Sequence, residues 1–243
     1  MLFTNFEEYY QNELNALRRL NYELLITRQD DDRVKEIITK RYNQYCWMIA
    51  PLTLQEYTDR VFENIEKGDP ETCMVYIKCP KRENIAENTQ IKYISENLPE
   101  LNIEKLSTTA ISLDKSGVLN TGCNANCKTI DFKIEGKNTY YGFLKYTESF
   151  GGAQDNQFND AKNFILCANE NADNIRFVLA LDGEYYQKYF KKGMFSGTNK
   201  LNYLKDLVSN NKKIIIGTTD EVVSVINNLE NEQEETQSRS VLY

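Results

Sequence analysis

The first hundred residues repeat apolar side chains at intervals of three and four, the spacing of amphipathic helices. This pattern runs from residue 5 to about 67, and the aspartates at 30–32 break it and cap a second helix. A third helix is predicted after Pro51, and residues 83–98 are again helical in pattern. The segment 72–78 is apolar, but periodicity does not decide between a short strand and a buried helical turn. The N-terminal region is therefore predicted to be mainly helical.

From residue 128 the period of the pattern changes to that of strands. Residues 129–134 alternate, Gly136-Lys137-Asn138 is typical of a turn, and residues 139–146 form a second β-rich run, so the sequence predicts a hairpin. A helix is predicted over residues 155–168. The continuous apolar run at 175–181 is typical of a central strand that is covered on both faces.

Four further elements complete the pattern, namely two helices, a strand and a helix, near 184–192, 198–209, 213–216 and 219–229. Strands that alternate with helices predict an α/β (α+β) fold, with a mixed central β-sheet flanked by helices. We therefore predict a helical region over 1–100, an α/β core over 101–230 and a polar, disordered tail over 231–243.

The composition is that of a globular chain, with 41% hydrophobic and 27% charged residues. No apolar run approaches the roughly 20 residues needed to cross a bilayer. The opening MLFTNFEEYYQ has neither the basic segment nor the apolar segment of a secretion signal. Six widely separated cysteines are expected to be reduced thiols. These features predict a soluble cytoplasmic protein without a membrane partner.

Histidine is absent from the sequence. Its absence excludes Ser-His and Cys-His catalysis, most zinc hydrolase sites and His-based nuclease motifs. Any chemistry must therefore use carboxylates, Lys, Tyr, Cys or a metal. The formal net charge of −7 argues against a basic, non-specific nucleic-acid coat, but it says little about what one cleft binds.

Asp131 and Lys145 are the residues on which a chemical hypothesis can be built. They lie on the two strands of the predicted hairpin, so that strand pairing can bring both side chains to one end of a sheet. The carboxylate would hold Mg²⁺ through hard oxygen ligation, and the ammonium would position the attacking water or offset charge on the phosphorane. The pair suits phosphodiester hydrolysis. An ordinary cross-strand ion pair is the alternative interpretation.

Around these residues the chain resembles the PD-(D/E)xK nuclease superfamily, and in particular type II restriction endonucleases. Those enzymes place an acid on one strand and an acid-x-Lys on the next, followed by a Gly-containing loop and a helix. Asp131 matches the first acid, Lys145 matches the lysine, and S-F-G-G-A-Q-D-N-Q resembles the loop. The resemblance covers about residues 125–229 and implies a restriction-endonuclease-like fold. It also implies Mg²⁺ as cofactor and double-stranded DNA as substrate, cut by a homodimer, because symmetric dimers suit palindromic sites.

The chain departs from this motif at the second acid, where Phe143 stands two residues before Lys145. Some relatives place that carboxylate on the following helix, and Asp160 is the preferred substitute in this sequence. The resulting hypothesis has Asp131 and Asp160 holding the metal while Lys145 orients the attacking water. Weaker candidates for the missing acid lie close by or in the helical region: Glu148, Asp155, Glu63 and Glu96.

Candidate DNA contacts follow the hairpin and occur again in a later loop: Gln154, Asn156, Gln157, Lys191 and Lys192. The two lysines are more simply explained as a solvated face. Cys123 and Cys127, with Cys73 and Cys79, form a possible zinc site, although free thiols are the favoured interpretation because neither pair has the usual two-residue gap.

Three hypotheses follow from the sequence. The first is a Mg²⁺-dependent type II restriction endonuclease, in which the helical region 1–100 supplies dimer contacts or DNA recognition. The second is a non-catalytic nuclease-fold module that binds DNA or protein, and Phe143 favours it. The third is a helical scaffold whose α/β part is only structural.

Overall fold

Helices come first along the chain, and strands alternate with helices after them. The computed structural model describes residues 5–80, 85–122, 128–148, 154–169, 175–189, 197–208 and 211–240. The chain divides into two units, an α/β unit of residues 1–10 and 86–243 and a helical unit of residues 11–85. The predicted mixed α/β class is confirmed.

The helices of the N-terminal region are α1 (Phe6–Ile26), α2 (Asp31–Ile49), α3 (Leu54–Glu66), α4 (Pro70–Tyr76) and α5 (Ile85–Asn97). Helix α4 settles the ambiguous segment at 72–78 as largely helical. It begins with Pro70 in its first turn, where the missing N–H costs nothing, and the Asp69 side chain accepts a hydrogen bond from the backbone of Thr72 at 2.8 Å. Helix α3 begins after a capping box between Thr53 and Glu56.

Side chains from four helices form the core of the helical unit. They come from α1, α2, α3 and α4 and include Leu25, Val34, Ile38, Val61, Phe62, Ile65, Cys73 and Tyr76.

The strands and helices of the α/β unit follow in chain order. They are β1 (Asn102–Lys105), β2 (Ile111–Leu113), β3 (Leu119–Thr121), β4 (Lys128–Thr129), β5 (Phe132–Glu135), β6 (Thr139–Tyr146), α6 (Gln154–Asn169), β7 (Arg176–Asp182), α7 (Glu184–Gln187), α8 (Lys200–Asp206), β8 (Ile214–Gly217) and α9 (Thr219–Ser240).

A five-stranded mixed sheet in the order β1-β5-β6-β7-β8 organises this unit. Strands β1, β5 and β6 are antiparallel neighbours, whereas β6, β7 and β8 run parallel. One core lies where α6 and α8 pack on the sheet, and a second where α5 and α9 pack on it. Strand β7 is buried throughout except at its first residue, as its continuous apolar run predicts. Strands β3, β2 and β4 form a small separate sheet.

The first strand of the predicted hairpin is divided at Asp131. Residues 128–129 pair with β2 in the small sheet, and β5 begins only at Phe132. Between them, Ile130 donates its backbone N–H to Ile111 in β2, and Asp131 donates its own to Gly142 in β6. Asp131 therefore lies immediately before β5 rather than within it, at the point where the chain passes from one sheet to the other.

Three other parts of the chain differ from the prediction. Strands β1, β2 and β3 were not expected, because they are short and carry no long alternating run. The helix expected at 184–192 ends at Gln187, and Tyr189 forms an isolated bridge with Asn199. Helix α9 continues to Ser240 where disorder was expected, since the Glu and Gln of its last turns are good helix formers. Residues 241–243 lie outside the described residues.

Helix α5 belongs to the α/β unit from residue 86 onward, whereas the sequence suggested a division near residue 100. Ile94 of this helix and Leu98, the residue just after it, are buried with Phe132, Leu144 and Val178 of the sheet. Burial of this apolar face against the sheet places α5 over β5, β6 and β7.

Gly183 makes the tight turn after β7, and we expect its replacement by alanine to destabilise the protein. Gly183 has φ +93°, and an added Cβ would lie 2.3 Å from the carbonyl oxygen of Thr147. The positive φ costs about 1 kcal/mol for a residue with a Cβ, and the collision adds about 1–3 kcal/mol. Urea unfolding would measure the loss.

Gly122→Ala is the matched control, because Gly122 has φ +88° and no atom of the described residues lies within 4 Å of an added Cβ. It should lose only the backbone part, about 1 kcal/mol. Equal losses of stability in the two variants would show that the Thr147 carbonyl does not exclude a side chain at position 183.

Candidate functional site

Asp131 lies immediately before β5, and its carboxylate is hydrogen-bonded to the backbone of the adjacent strand β6. The backbone N–H of Leu144 donates to its Oδ2 at 2.8 Å, in place of a carbonyl from a neighbouring strand. The N–H of Asp131 donates to the carbonyl of Gly142 at 2.8 Å, and its carbonyl accepts from the N–H of Leu106 at 2.9 Å. These three bonds fix the backbone and the side chain of Asp131 at once.

Lys145 follows on β6 directly after Leu144, the residue that donates to Asp131, and its charge acts on the Asp131 carboxylate by lowering its pKa. Its Nζ lies 5.1 Å from the ring centroid of Phe143 and 3.6 Å from Oε1 of Glu87. The Lys145 side chain is 24% exposed and that of Glu87 is 30% exposed. The structure therefore brings together two acids and a lysine in a place that solvent reaches.

Glu87 is a member of this cluster that the sequence did not reveal. It lies in the first turn of α5, 44 positions before Asp131 in the sequence. Glu63 and Glu96, the acids considered in the helical region, have other partners. Glu63 pairs with Lys67, and Glu96 lies near Tyr9, whose pKa is raised by burial and then by Glu96. Only the packing of α5 on the sheet identifies Glu87, because no local motif surrounds it.

A buried hydrogen-bond network fixes the rotation of α5. Gln90, one turn after Glu87, donates through Nε2 to Oδ2 of Asp182 at 2.7 Å. The same carboxylate accepts from the backbone N–H and the hydroxyl of Thr219, at 3.1 and 2.5 Å, where α9 begins. Residues three apart share one helix face, so the Gln90 bond also directs Glu87 towards the sheet, where Lys145 lies.

Burial raises the pKa of two carboxyl groups in this unit, those of Asp131 and Asp182. It raises the pKa of Asp131 to about 6, although the hydrogen bond from Leu144 and the charge of Lys145 lower it, and the charge of Glu87 adds to the rise. Burial likewise raises the pKa of Asp182 to about 6 against the hydrogen bonds of Thr219 and Gln90. Near neutral pH, Asp131 is therefore an anion held in an environment that disfavours its charge.

Asp160, the sequence candidate for the second acid, has a different partner. Its Oδ1 accepts from Nζ of Lys128 at 2.5 Å, and the Asp160 side chain is 46% exposed. Asp155, a weaker candidate, accepts from the hydroxyl of Tyr185 at 2.6 Å. Within the described residues, the structure gives neither acid a contact with Asp131 or Lys145.

The remaining candidates lie on or after the end of β6. Glu148 is exposed two residues after the strand, and its charge contributes to the raised pKa of Tyr146 after burial and Glu7. Gln157 accepts from the hydroxyl of Thr147 at 2.5 Å, and Asn156 is exposed on α6. Gln154 begins α6. Lys191 and Lys192 lie outside the described residues, as do Cys123 and Cys127.

Phe143 occupies the motif position of the second acid and belongs to the hydrophobic core. It is 4% exposed, and its ring stacks on that of Phe164 from α6 at a centroid distance of 5.1 Å. A carboxylate at 143 would be buried among these aromatic rings, so the local packing explains why an acid is not accommodated there.

The donor set around Asp131 fits Mg²⁺ better than it fits zinc. Two carboxylates offer hard oxygen atoms, and Mg²⁺ commonly takes one or two such ligands together with waters and phosphate oxygens. Among the described residues no group of three or more Cys, Asp or Glu is placed to hold a metal ion. Cys73 is buried and Cys79 is exposed, and both are free thiols.

No helix in the described ranges is both long and apolar enough to cross a bilayer. Comparison of the chain with protein-family models, with curated protein sequences and with solved structures found no match. The candidate site is therefore defined by its own geometry.

Asp131→Asn should raise the stability of the protein at neutral pH. The folded pKa of Asp131, about 6, lies above its ordinary value of 3.8, so the charged form destabilises the fold above pH 6. That cost falls as pH drops from 6 and is absent once both states are protonated below about 4. The amide can still accept from Leu144. Thermal unfolding across this range should show a gain in Tm at pH 7 that vanishes at acid pH.

Asp114→Asn is the control, because its effect on the stability at pH 7 should have the opposite sign. Hydrogen bonds from Ser116, Val118 and Asn120 lower the pKa of Asp114 to about 2, so its charge stabilises the fold above the ordinary value of 3.8. This variant should lose stability at pH 7 and approach the parent chain as pH falls towards 2. A loss at pH 7 in both variants would contradict the cost assigned to the Asp131 charge.

Proposed function

We propose that the chain is a Mg²⁺-dependent endodeoxyribonuclease that hydrolyses phosphodiester bonds at the Glu87, Asp131 and Lys145 cluster. The observation that carries the proposal is the meeting of two carboxylates and an ammonium at a partly exposed position of the central sheet. Carboxylates that hold a divalent ion beside a lysine form a common arrangement for phosphodiester hydrolysis.

The order of elements supports the resemblance to PD-(D/E)xK nucleases. An antiparallel pair, β5 and β6, is followed by α6, the parallel strand β7 and later the parallel strand β8. Asp131, immediately before β5, and Lys145, on β6, are the residues that we match to the first acid and the lysine of that motif. We further propose a type II site-specific enzyme with a restriction-endonuclease-like fold, acting as a homodimer on double-stranded DNA.

Each residue of the cluster has a distinct part in the proposed reaction. Asp131 and Glu87 would hold Mg²⁺, which when bound supplies positive charge that polarises the scissile phosphate. Asp131 is held rigidly by Leu144, so its oxygen atoms need no reorganisation on binding. The Lys145 ammonium orients the attacking water and offsets the charge that develops on the phosphate oxygens.

Burial of Asp131 has a consequence for pH dependence. Since its pKa is about 6, a fraction of the carboxylate is protonated in mildly acid solution and cannot bind a cation. Deprotonation and cation binding therefore favour each other.

Incubation of the protein with mixed plasmid DNA and Mg²⁺ should yield discrete fragments. We expect Asp131→Asn and Lys145→Met each to lower the cleavage rate at least about 100-fold, since each removes a group that contacts the reacting phosphate or its metal. Gel analysis of the time course would measure the rates.

Lys133→Met is the matched control for Lys145→Met. Lys133 lies on the adjacent strand β5, is likewise 24% exposed, and pairs with Glu135 outside the cluster. It should cleave at nearly the parent rate. Equal losses in the two lysine variants, with both folded, would overturn the role of Lys145.

The identity of the second acid can be tested by two isosteric substitutions. We expect Glu87→Gln to lower both the cleavage rate and the rise in Tm on addition of Mg²⁺ more than Asp160→Asn does, because Glu87 is the acid beside Lys145. The Mg²⁺-dependent Tm reports binding without requiring turnover. The reverse ranking would restore Asp160 as the second ligand.

A second candidate function is a nuclease-fold module that binds DNA without cutting it. The burial of Phe143 at the motif's acid position favours it. DNA retardation in a gel without cleavage at any Mg²⁺ concentration would select this function over the first.

A further inference from the structure

The helical unit contains a groove between α2 and α4 whose lining is strongly cationic. The cavity has a volume of about 660 Å³. Of the ten lining residues in the described part of the chain, four are Lys or Arg and none is acidic: Arg33, Ile37, Lys40, Arg41, Gln44, Met74, Val75, Ile77, Lys78 and Cys79. This contrasts with the whole chain, which has 36 acidic and 29 basic residues. We call this cavity the basic groove.

The cations of the basic groove are distributed along its length. Arg33, Ile37, Lys40, Arg41 and Gln44 recur at helical spacing, and therefore form one stripe along α2. From Arg33 to Gln44 the helix rises about 16 Å, which is the axial length of about five base pairs. A small phosphate ligand would need converging charges, whereas this row matches a linear polyanion.

Two cations of the stripe are exposed to solvent, and the third is held by hydrogen bonds within the protein. Lys40 and Arg41 are exposed. Arg33 donates to Oδ2 of Asp30 and to the carbonyl of Tyr76, both at 2.5 Å, so it joins α2 to the last residue of α4. The groove is thus a preformed feature of the packed helices.

A second, smaller cavity extends the basic groove. It measures about 280 Å³, shares Arg41 and Val75 with the first, and adds Arg60 from α3. Its lining includes one acid, Glu71, together with the polar side chains of Asn64 and Thr72. Such side chains commonly contact phosphate and sugar. The positive surface therefore continues beyond α2.

We propose that the basic groove binds the phosphate backbone of duplex DNA. The inference rests on the proposed nuclease function, which supplies DNA as the substrate, and it assigns the helical unit a role in holding that DNA. Phosphate contacts of this kind fix orientation and add affinity without reading sequence. The groove would allow a chain of net charge −7 to approach a polyanion through one local surface.

Binding is best measured with the Asp131→Asn chain in EDTA, by fluorescence anisotropy of a labelled mixed-sequence duplex. We expect Lys40→Glu with Arg41→Glu to weaken binding at least about tenfold. The milder pair, Lys40→Ala with Arg41→Ala, should lower the slope of log K against log salt by about 1.8, or 0.9 for each lost phosphate contact. Thermal unfolding would establish that both variants fold.

Arg19→Glu with Lys35→Glu is the matched control, because both residues are exposed cations of α1 and α2 outside the groove. It produces the same change in net charge and should bind within about twofold of the parent.

Equal weakening in the two charge-reversal pairs, or an unchanged salt slope, would overturn the basic groove as the DNA-binding surface. Tighter binding of a duplex RNA or an acidic peptide would overturn DNA as its ligand. Cleavage takes no part in this assay. A chain that binds through the groove but never cuts DNA would therefore refute the nuclease activity alone, and one that cuts normally after Lys40→Glu with Arg41→Glu would refute the groove alone.

Discussion

The buried carboxylate of Asp182 is the constraint on which the arrangement of the α/β unit depends. It stands at the end of β7 and accepts hydrogen bonds from Gln90 of α5 and from Thr219, where α9 begins. A carboxylate with 6% exposure is stable in such a place only when its oxygen atoms are satisfied. Both helices must therefore keep their positions. The rotation of α5 that satisfies Asp182 also turns Glu87 towards the sheet, where Lys145 lies.

The candidate site contains a carboxylate whose charge is disfavoured by burial, Asp131, and a backbone hydrogen bond from Leu144 that holds it in place. Asp131 has its pKa raised to about 6 by burial, even though Leu144 donates to it and Lys145 lies nearby. A buried anion of this kind destabilises the apo fold and favours a bound cation for the same electrostatic reason. The surrounding sheet supplies the stability that makes such a charge tolerable. Phe143 contributes to that stability by packing on Phe164 of α6.

Charge is distributed unevenly between the two proposed surfaces. The cluster at the sheet combines two acids with one lysine, whereas the basic groove of the helical unit places three cations of α2, together with Lys78 just after α4, along one cavity. A divalent ion suits the first surface and a polyanion suits the second. The two surfaces together are consistent with one proposed substrate, a nucleic acid whose scissile phosphate needs a metal and whose backbone needs positive charge.

The sequence by itself determined the elements with strong local patterns. The period of 3.6 located helices such as α3, a β-rich run located β6, and a continuous apolar run located β7. The hairpin pattern predicted that Asp131 and Lys145 would approach each other. The sequence did not reveal β1, β2 and β3, which are short and polar in part, nor the passage of Asp131 between two sheets. Glu87 and the basic groove were decided by tertiary structure alone. Each joins residues some 30 or more positions apart, through the packing of one helix on another element, and no local pattern encodes such an encounter.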